Sequence, residues 1–294
     1  MVETIAYLGP QGTFTHEATQ LLFSNKNSEL VPYPTIPDVL TAVDQGVSDL
    51  AVVPVETAVG GSVNLTIDWL IHHVDVPIIG EVIYPISQCL LVHPQHANRP
   101  LQDFVRIYSH PQAIAQCQEK IDEICPQAEI IYTESTAQGA TILQSNPEDL
   151  ALAIGTKRAG ETRNLVIKEE DIQDHQNNFT RFIAIGHKWV DFQEEQKSVK
   201  HKTSLQVTLP SDYPGALFQV LATFSWRKIN LSHIESRPTK TGLGNYFFII
   251  DAELSHEHVL MRGALAEIKA LGCNVRVLGS YPSFQVNELQ SLKK

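Results

Sequence analysis

From residue 3 to about 187, short apolar runs alternate with helical periods. The runs are Ile5–Leu8, Leu50–Val53, Val105–Ile107, Glu129–Tyr132, Leu150–Ile154 and Phe182–Ile185. Their length and flanking turn residues predict buried strands. Ile36, Val39, Leu40 and Val43 fall at i, i+3, i+4 and i+7, with Pro37 at a first helical position, which predicts an amphipathic helix between two of those strands. Such alternation predicts α/β layering with largely parallel pairing. The pattern alone leaves open whether this part is one lobe or two. Residues 188–202 are dense in charge and lack an apolar period, so they read as a linker.

A different pattern begins at Thr203 and runs to Tyr281. Thr203–Leu209 alternates like a strand. Leu217, Val220, Leu221 and Phe224 mark a helical face. Ile229–Pro238 and Asn245–Ala252 read as strands joined by a turn at Thr241-Gly242-Leu243-Gly244. Met261, Ala264, Leu265 and Ile268 mark a second helical face, and Cys273–Leu278 closes with a strand. The order is βαββαβ, the ferredoxin-like split unit.

Composition narrows the class. The chain has 294 residues, 43% hydrophobic and 19% charged, which suits two folded domains. A formal net charge of -11 gives no footprint for nucleic acid or an anionic membrane, so an anionic ligand must be held by local donors. Met1-Val2-Glu3-Thr4 lacks a basic n-region, and no apolar run approaches the roughly 18–20 residues of a membrane span; a cytoplasmic protein is expected. Cys89, Cys117, Cys125 and Cys273 form no C-x-x-C pair and read as buried thiols. His93/His96 and His256/His258 have no nearby third ligand, so no metal site is expected.

Five segments can carry chemistry. Gly9-Pro10-Gln11-Gly12-Thr13-Phe14-Thr15 joins a strand to a helix, where glycines permit close approach and Thr13 or Thr15 can cap; it is either an anion cradle or a tight connector. Pro54-Val55-Glu56-Thr57 ends a strand in a carboxylate, followed by Gly60-Gly61-Ser62 near a helix start; Glu56 is a site residue or a solvated loop acid. Ser109-His110-Pro111-Gln112-Ala113 and Ser135-Thr136-Ala137 each follow a strand and offer hydroxyl caps. Asn178-Phe179-Thr180-Arg181-Phe182 opens the last strand, where Arg181 can grip a carboxylate bidentately or form a structural ion pair.

Taken together, these segments resemble the prephenate dehydratase family. The matching residues are Tyr7-Leu8-Gly9-Pro10-x-Gly12-Thr13-Phe14, Val53-Pro54-Val55-Glu56, Gly80-Glu81, Ser109 to Ala113, Ser135-Thr136-Ala137 and Asn178-x-Thr180-Arg181-Phe182. Residues 203–281 resemble an ACT domain, with Gly215-Ala216-Leu217-Phe218 and Glu235-Ser236-Arg237-Pro238 matching its two phenylalanine-binding segments. The resemblance implies an α/β fold with a two-lobed, periplasmic-binding-protein-like catalytic domain over 4–187. Lobe one takes in about 4–80 and 175–187, and lobe two about 81–174. A ferredoxin-like ACT domain follows. No chorismate mutase segment is expected before the dehydratase motif.

The resemblance also implies roles. Thr180 is catalytic, with Glu56 and His110 as candidate proton sources. Gly12, Thr13, Thr57, Ser109, Ser135, Asn178, Arg181 and Phe182 are expected to bind substrate, and Gly215 to Phe218 with Glu235 to Pro238 to bind phenylalanine. No cofactor is expected, because aromatisation drives the reaction. A homodimer or homotetramer is expected through the ACT domains. One departure stands out: Thr57-Ala58 replaces the family's usual Asn-Ser, and a threonine hydroxyl donates one hydrogen bond where an amide donates two. Arogenate is the competing substrate, and a non-catalytic two-lobed binding protein is the competing class.

Overall fold

The computed structural model describes residues 3–23, 27–188, 190, 192, 200–211, 213–239 and 246–286. The chain divides into two compact units, Met1–Val74 with Ile83–Phe182, and Asp75–Val82 with Ile183–Lys294.

The first unit contains two lobes. In the first lobe the order is β1 (Glu3–Leu8), α1 (Phe14–Leu22), β2 (Ser28–Tyr33), α2 (Ile36–Asp44), β3 (Leu50–Thr57), β4 (Gly61–Ser62) and α3 (Asn64–His72). β1 pairs in parallel with β2 on one side and β3 on the other. Ile5, Ala6 and Leu50 to Val53 are fully buried, and so are Val39, Leu40 and Val43 of α2, whose period the sequence displays. Thr35 caps α2 by accepting the Asp38 N–H at 3.2 Å.

The chain then passes through β5 (Ile78–Pro85) into the second lobe. Its elements are β6 (Cys89–Val92), β7 (Arg106–Ser109), α4 (Pro111–Gln116), α5 (Gln118–Ile124), β8 (Glu129–Tyr132), α6 (Thr136–Ser145), β9 (Ala151–Gly155), α7 (Lys157–Thr162) and β10 (Val166–Glu169). The sheet order is β10-β6-β9-β7-β8. Both faces of this sheet are covered. Leu90, Val92, Leu152 and Ile154 pack into one core, and Cys89, Leu91, Ala151 and Ala153 into another. Double coverage explains why these strands read as unbroken apolar runs. Pairing is parallel at β7–β8 and β7–β9 but antiparallel at β6–β9 and β6–β10, so the expectation of largely parallel strands holds only in part. β11 (Phe179–Gly186) returns beside β3, where the Ala58 N–H donates to Phe179 O at 2.8 Å.

The second unit is built on the βαββαβ order: β12 (Lys200–Thr208), α8 (Ala216–Ser225), β13 (Leu231–Pro238), β14 (Tyr246–Ala252), α9 (Val259–Ala270) and β15 (Asn274–Gln285). The strands run β13-β14-β12-β15, all antiparallel. Leu205, Val207, Phe248 and Ile250 bury one face against Val220 and Phe224 of α8 and Met261, Ala264 and Ile268 of α9. The turn read at Thr241 to Gly244 lies outside the described residues, as does most of the charged stretch. At its end the structure differs from the linker reading: Lys200–Lys202 belong to β12, and Lys202 is 6% exposed. A buried partner explains this, because Lys202 Nζ lies 2.7 Å from Oε1 of the fully buried Glu81, which also accepts the Ser283 hydroxyl at 2.6 Å. A Cβ at Gly80 beside it would meet the Phe192 ring at 2.8 Å, so any larger residue there must displace that ring.

Candidate functional site

The first unit holds a cavity of about 420 Å³ to which both lobes contribute. After β1 the chain turns at Gly12, whose φ of +90° suits glycine and where a Cβ would press on Arg163 Nη1 at 3.0 Å. Thr13 caps α1, accepting the His16 N–H at 3.3 Å and donating to Pro10 O at 3.0 Å. The second lobe clamps the same turn: Thr156 donates to Gly12 O at 3.0 Å and Arg163 Nη2 to Gln11 O at 3.2 Å. The start of α1, with Thr13, Phe14 and Thr15, is thereby fixed in the cavity wall.

Ser135 plays the matching part in the second lobe. It caps α6 by accepting the Gln138 N–H at 3.1 Å, and Thr136 lies beside it on the wall. The third cap differs from expectation. His110 caps α4, its Nδ1 accepting the Gln112 N–H at 3.2 Å, while Ser109 is fully buried and donates to Ile154 O at 2.7 Å. A buried hydroxyl must find an acceptor, and the neighbouring strand carbonyl supplies it. Burial holds the His110 pKa below its usual value; with Nδ1 accepting, the neutral ring carries its proton on Nε2.

β11 places Thr180 and Phe182 on the cavity wall, two residues apart on one strand face. Thr180 is 6% exposed, and no described residue hydrogen-bonds its hydroxyl. Phe182 is braced edge-on by Tyr84 at 6.4 Å, and Phe14 packs on the same tyrosine at 6.5 Å. Tyr84 in turn donates to Glu17 at 2.7 Å, and burial raises the pKa of both groups. Thr57 also lines the cavity; its Oγ1 accepts the Gly60 N–H at 2.9 Å, which leaves its own proton to donate.

Several expected site residues stand apart from this wall. Arg181 lies between Thr180 and Phe182, so strand alternation turns it to the other face, where Nη1 pairs with Glu56 Oε2 at 2.6 Å. Gly12, Glu56, Ser109, Asn178 and Arg181 do not line the cavity, whereas Thr13, Thr57, His110, Ser135, Thr180 and Phe182 do. Asn178 is 2% exposed, and neither atom of its amide has a hydrogen-bond partner among the described residues. The expected site residues leave out Gln88, Gln116 and Glu134, all on the wall, and Gln112, which the sequence offered only as part of the Ser109 to Ala113 segment. Gln112 and Gln116 stand one turn apart on α4, a spacing legible once the helix is drawn from Pro111. Gln88 and Glu134 carry no comparable signal. No lysine or arginine lies among the described lining residues, so the cavity offers an anion hydroxyls, amides and helix N-termini.

In the second unit the expected phenylalanine-binding residues divide. Gly215 precedes α8 with φ +90°, and it is exposed together with Phe218, Ser236 and Pro238. Ala216 is buried and Leu217 packs against the helix–sheet core. On the opposite face of β13 from Ser236, Arg237 Nη1 pairs with Glu235 at 3.2 Å, and His233 Nε2 lies 3.3 Å from the other oxygen of the same carboxylate.

Comparison with known proteins decides the family. The sequence profile of the prephenate dehydratase family matches residues 5–189, and that of the ACT domain matches residues 203–256. The chain belongs to the prephenate dehydratase family. Prephenate dehydratase of Bacillus subtilis strain 168 is 47% identical over 285 residues, 96% of this chain and 99% of that protein. The crystal structure of prephenate dehydratase from Arthrobacter aurescens in complex with L-Phe matches with a TM-score of 0.80 at 35% identity, over 95% of this chain and 89% of that one. The prephenate dehydratase of Staphylococcus aureus Mu50 matches with a TM-score of 0.79 at 30% identity, over 95% and 99% of the two chains. The family reaction, loss of carbon dioxide and water from prephenate to give phenylpyruvate, is a lyase step toward phenylalanine. Among the described residues no helix is long and apolar enough to cross a membrane.

Proposed function

We propose that prephenate binds in the cavity of the first unit and that Thr180 assists departure of its ring hydroxyl. The observation that carries this reading is the placement of Thr180 and Phe182 on the same wall as two capped helix N-termini, at Thr13 and Ser135. Prephenate carries two carboxylates and a cyclohexadiene ring, with one carboxylate on its quaternary ring carbon and the hydroxyl on the opposite ring carbon. Exposed N–H groups at the starts of α1 and α6 suit the carboxylates, and Phe14 and Phe182 suit the ring. As carbon dioxide leaves, the ring electrons expel the hydroxyl, and aromatisation provides the driving force. A hydrogen bond from Thr180 helps that oxygen leave as water, with His110 and Glu134 as the ionisable groups on the same wall; such assistance typically contributes about 10²–10⁴-fold. Glu56, paired with Arg181, fits bracing of β3 against β11 better than proton delivery.

Thr57 leaves the choice between prephenate and arogenate to kinetics. Side-by-side assays should give prephenate the higher kcat/KM. A preference for arogenate would reassign the substrate while leaving the site in place.

The second unit is, in this reading, the regulatory domain: it binds L-phenylalanine between paired copies in at least a dimer, in the cytoplasm. Support comes from the exposed positive-φ Gly215 at the start of α8 and from the ligand of the Arthrobacter relative. Gly215→Val should abolish phenylalanine binding by calorimetry and leave the enzyme uninhibited, with light scattering still showing the oligomer. The branched residue also adds about 1–2 kcal/mol of strain at a left-handed position, so circular dichroism must first show the variant folded. Unchanged inhibition in a folded variant would place the regulatory site elsewhere.

A further inference from the structure

Two glutamines meet on the cavity wall. Gln88 Nε2 donates to Gln116 Oε1 at 3.2 Å. Gln88 is 3% exposed, and its own Oε1 is buried with no hydrogen-bond partner among the described residues. A buried amide with an orphaned carbonyl destabilises a fold, and an apolar side chain of the same size would be the better packing residue. The backbone around the pair is held in place by one loop. Gln88 N donates to Gln173 Oε1 at 2.9 Å, Ile172 N to Gln88 O at 3.0 Å, and Asp174 N to Gln116 O at 2.8 Å. The same loop leads into Asn178 and Thr180. Both amides are thus pinned at their main chains and joined at their tips.

We propose that Gln88 is a positioning residue that sets the amide of Gln116. With its carbonyl oxygen occupied by Gln88, Gln116 can present only its N–H donors to the cavity. Free to flip, it would present a carbonyl oxygen half the time, which repels a carboxylate. This matters in a cavity whose described wall has no lysine or arginine, where each neutral donor carries a larger share of anion binding. The inference rests on the reading that an anionic substrate occupies this cavity.

The test is a set of variants assayed with prephenate and by thermal unfolding. Gln88→Leu removes the donor while keeping an apolar shape. It should leave the melting temperature unchanged or higher, yet raise KM by about tenfold, the effect of losing one oriented donor. Gln88→Glu cannot donate to Gln116 and accepts from it, turning the Gln116 carbonyl into the cavity; its KM should rise further. Gln88→His keeps an N–H of similar reach and should restore most of the affinity. In a Gln116→Ala background, Gln88→Leu should add little, because the residue acts through Gln116. A Gln88→Leu enzyme with parental KM, or an equal loss with and without Gln116, would overturn the proposal. An inactive parent would instead point to failure of the substrate reading.

Discussion

Thr180→Ala should lower turnover of prephenate by about 10²-fold or more, as expected when a donor to the leaving group is lost. Thr180 lies on β11 and lines the cavity, and none of the described residues takes up its hydroxyl. The hydroxyl is therefore available to a substrate. Thr180→Ser keeps that hydroxyl and should retain much more activity, though a serine rotates more freely without the β-methyl. Since Thr180 makes no described structural hydrogen bond, the alanine variant should melt near the parent. Parental turnover in a folded Thr180→Ala protein would remove Thr180 from the chemistry and leave His110, on the same wall, as a candidate.

Lys202→Met should destabilise the second unit. It removes a cationic partner of Glu81, which is 0% exposed and also accepts the Ser283 hydroxyl. Breaking a buried pair by deleting one member typically costs about 3–5 kcal/mol, because the other charge stays buried. Adding Glu81→Leu to Lys202→Met should recover most of that loss, since a well-packed apolar pair is often as stable as the ion pair it replaces. Urea unfolding followed by a probe in the second unit reads both variants. A single variant as stable as the parent would mean that Glu81 is compensated without Lys202.

Much of this architecture is legible in the sequence, for physical reasons that can be named. The runs at Leu50 and Leu150 stand out because both faces of their sheets are covered. α2, α8 and α9 stand out because one stripe of each is buried. Other elements are hidden. β2 carries Pro32 and is half-exposed throughout, so it lacks both the apolar run and clean alternation. β5 is interrupted by Gly80 and Glu81, whose burial depends on partners about 120 and 200 residues away, on β12 and β15. At the site, the caps at Thr13 and Ser135 follow from local chemistry, and Thr180 and Phe182 follow from the family motif. The exchange of Ser109 for His110 as a cap does not, because it turns on a carbonyl of β9. The turning of Arg181 away from the cavity was readable from alternation alone: it is the odd residue between Thr180 and Phe182. The Gln88–Gln116 pair is invisible in sequence, because isolated glutamines acquire meaning only when the fold joins them.

Products decide whether the cavity performs the family reaction or merely holds a ligand. The most direct measurement is simultaneous release of carbon dioxide and phenylpyruvate when purified protein is mixed with prephenate at neutral pH, where uncatalysed loss is slow. Equal amounts of both products are expected, formed catalytically and at a rate that collapses in Thr180→Ala. Saturable binding of prephenate with no carbon dioxide released above the protein-free control would contradict it and make the chain a two-lobed binding protein.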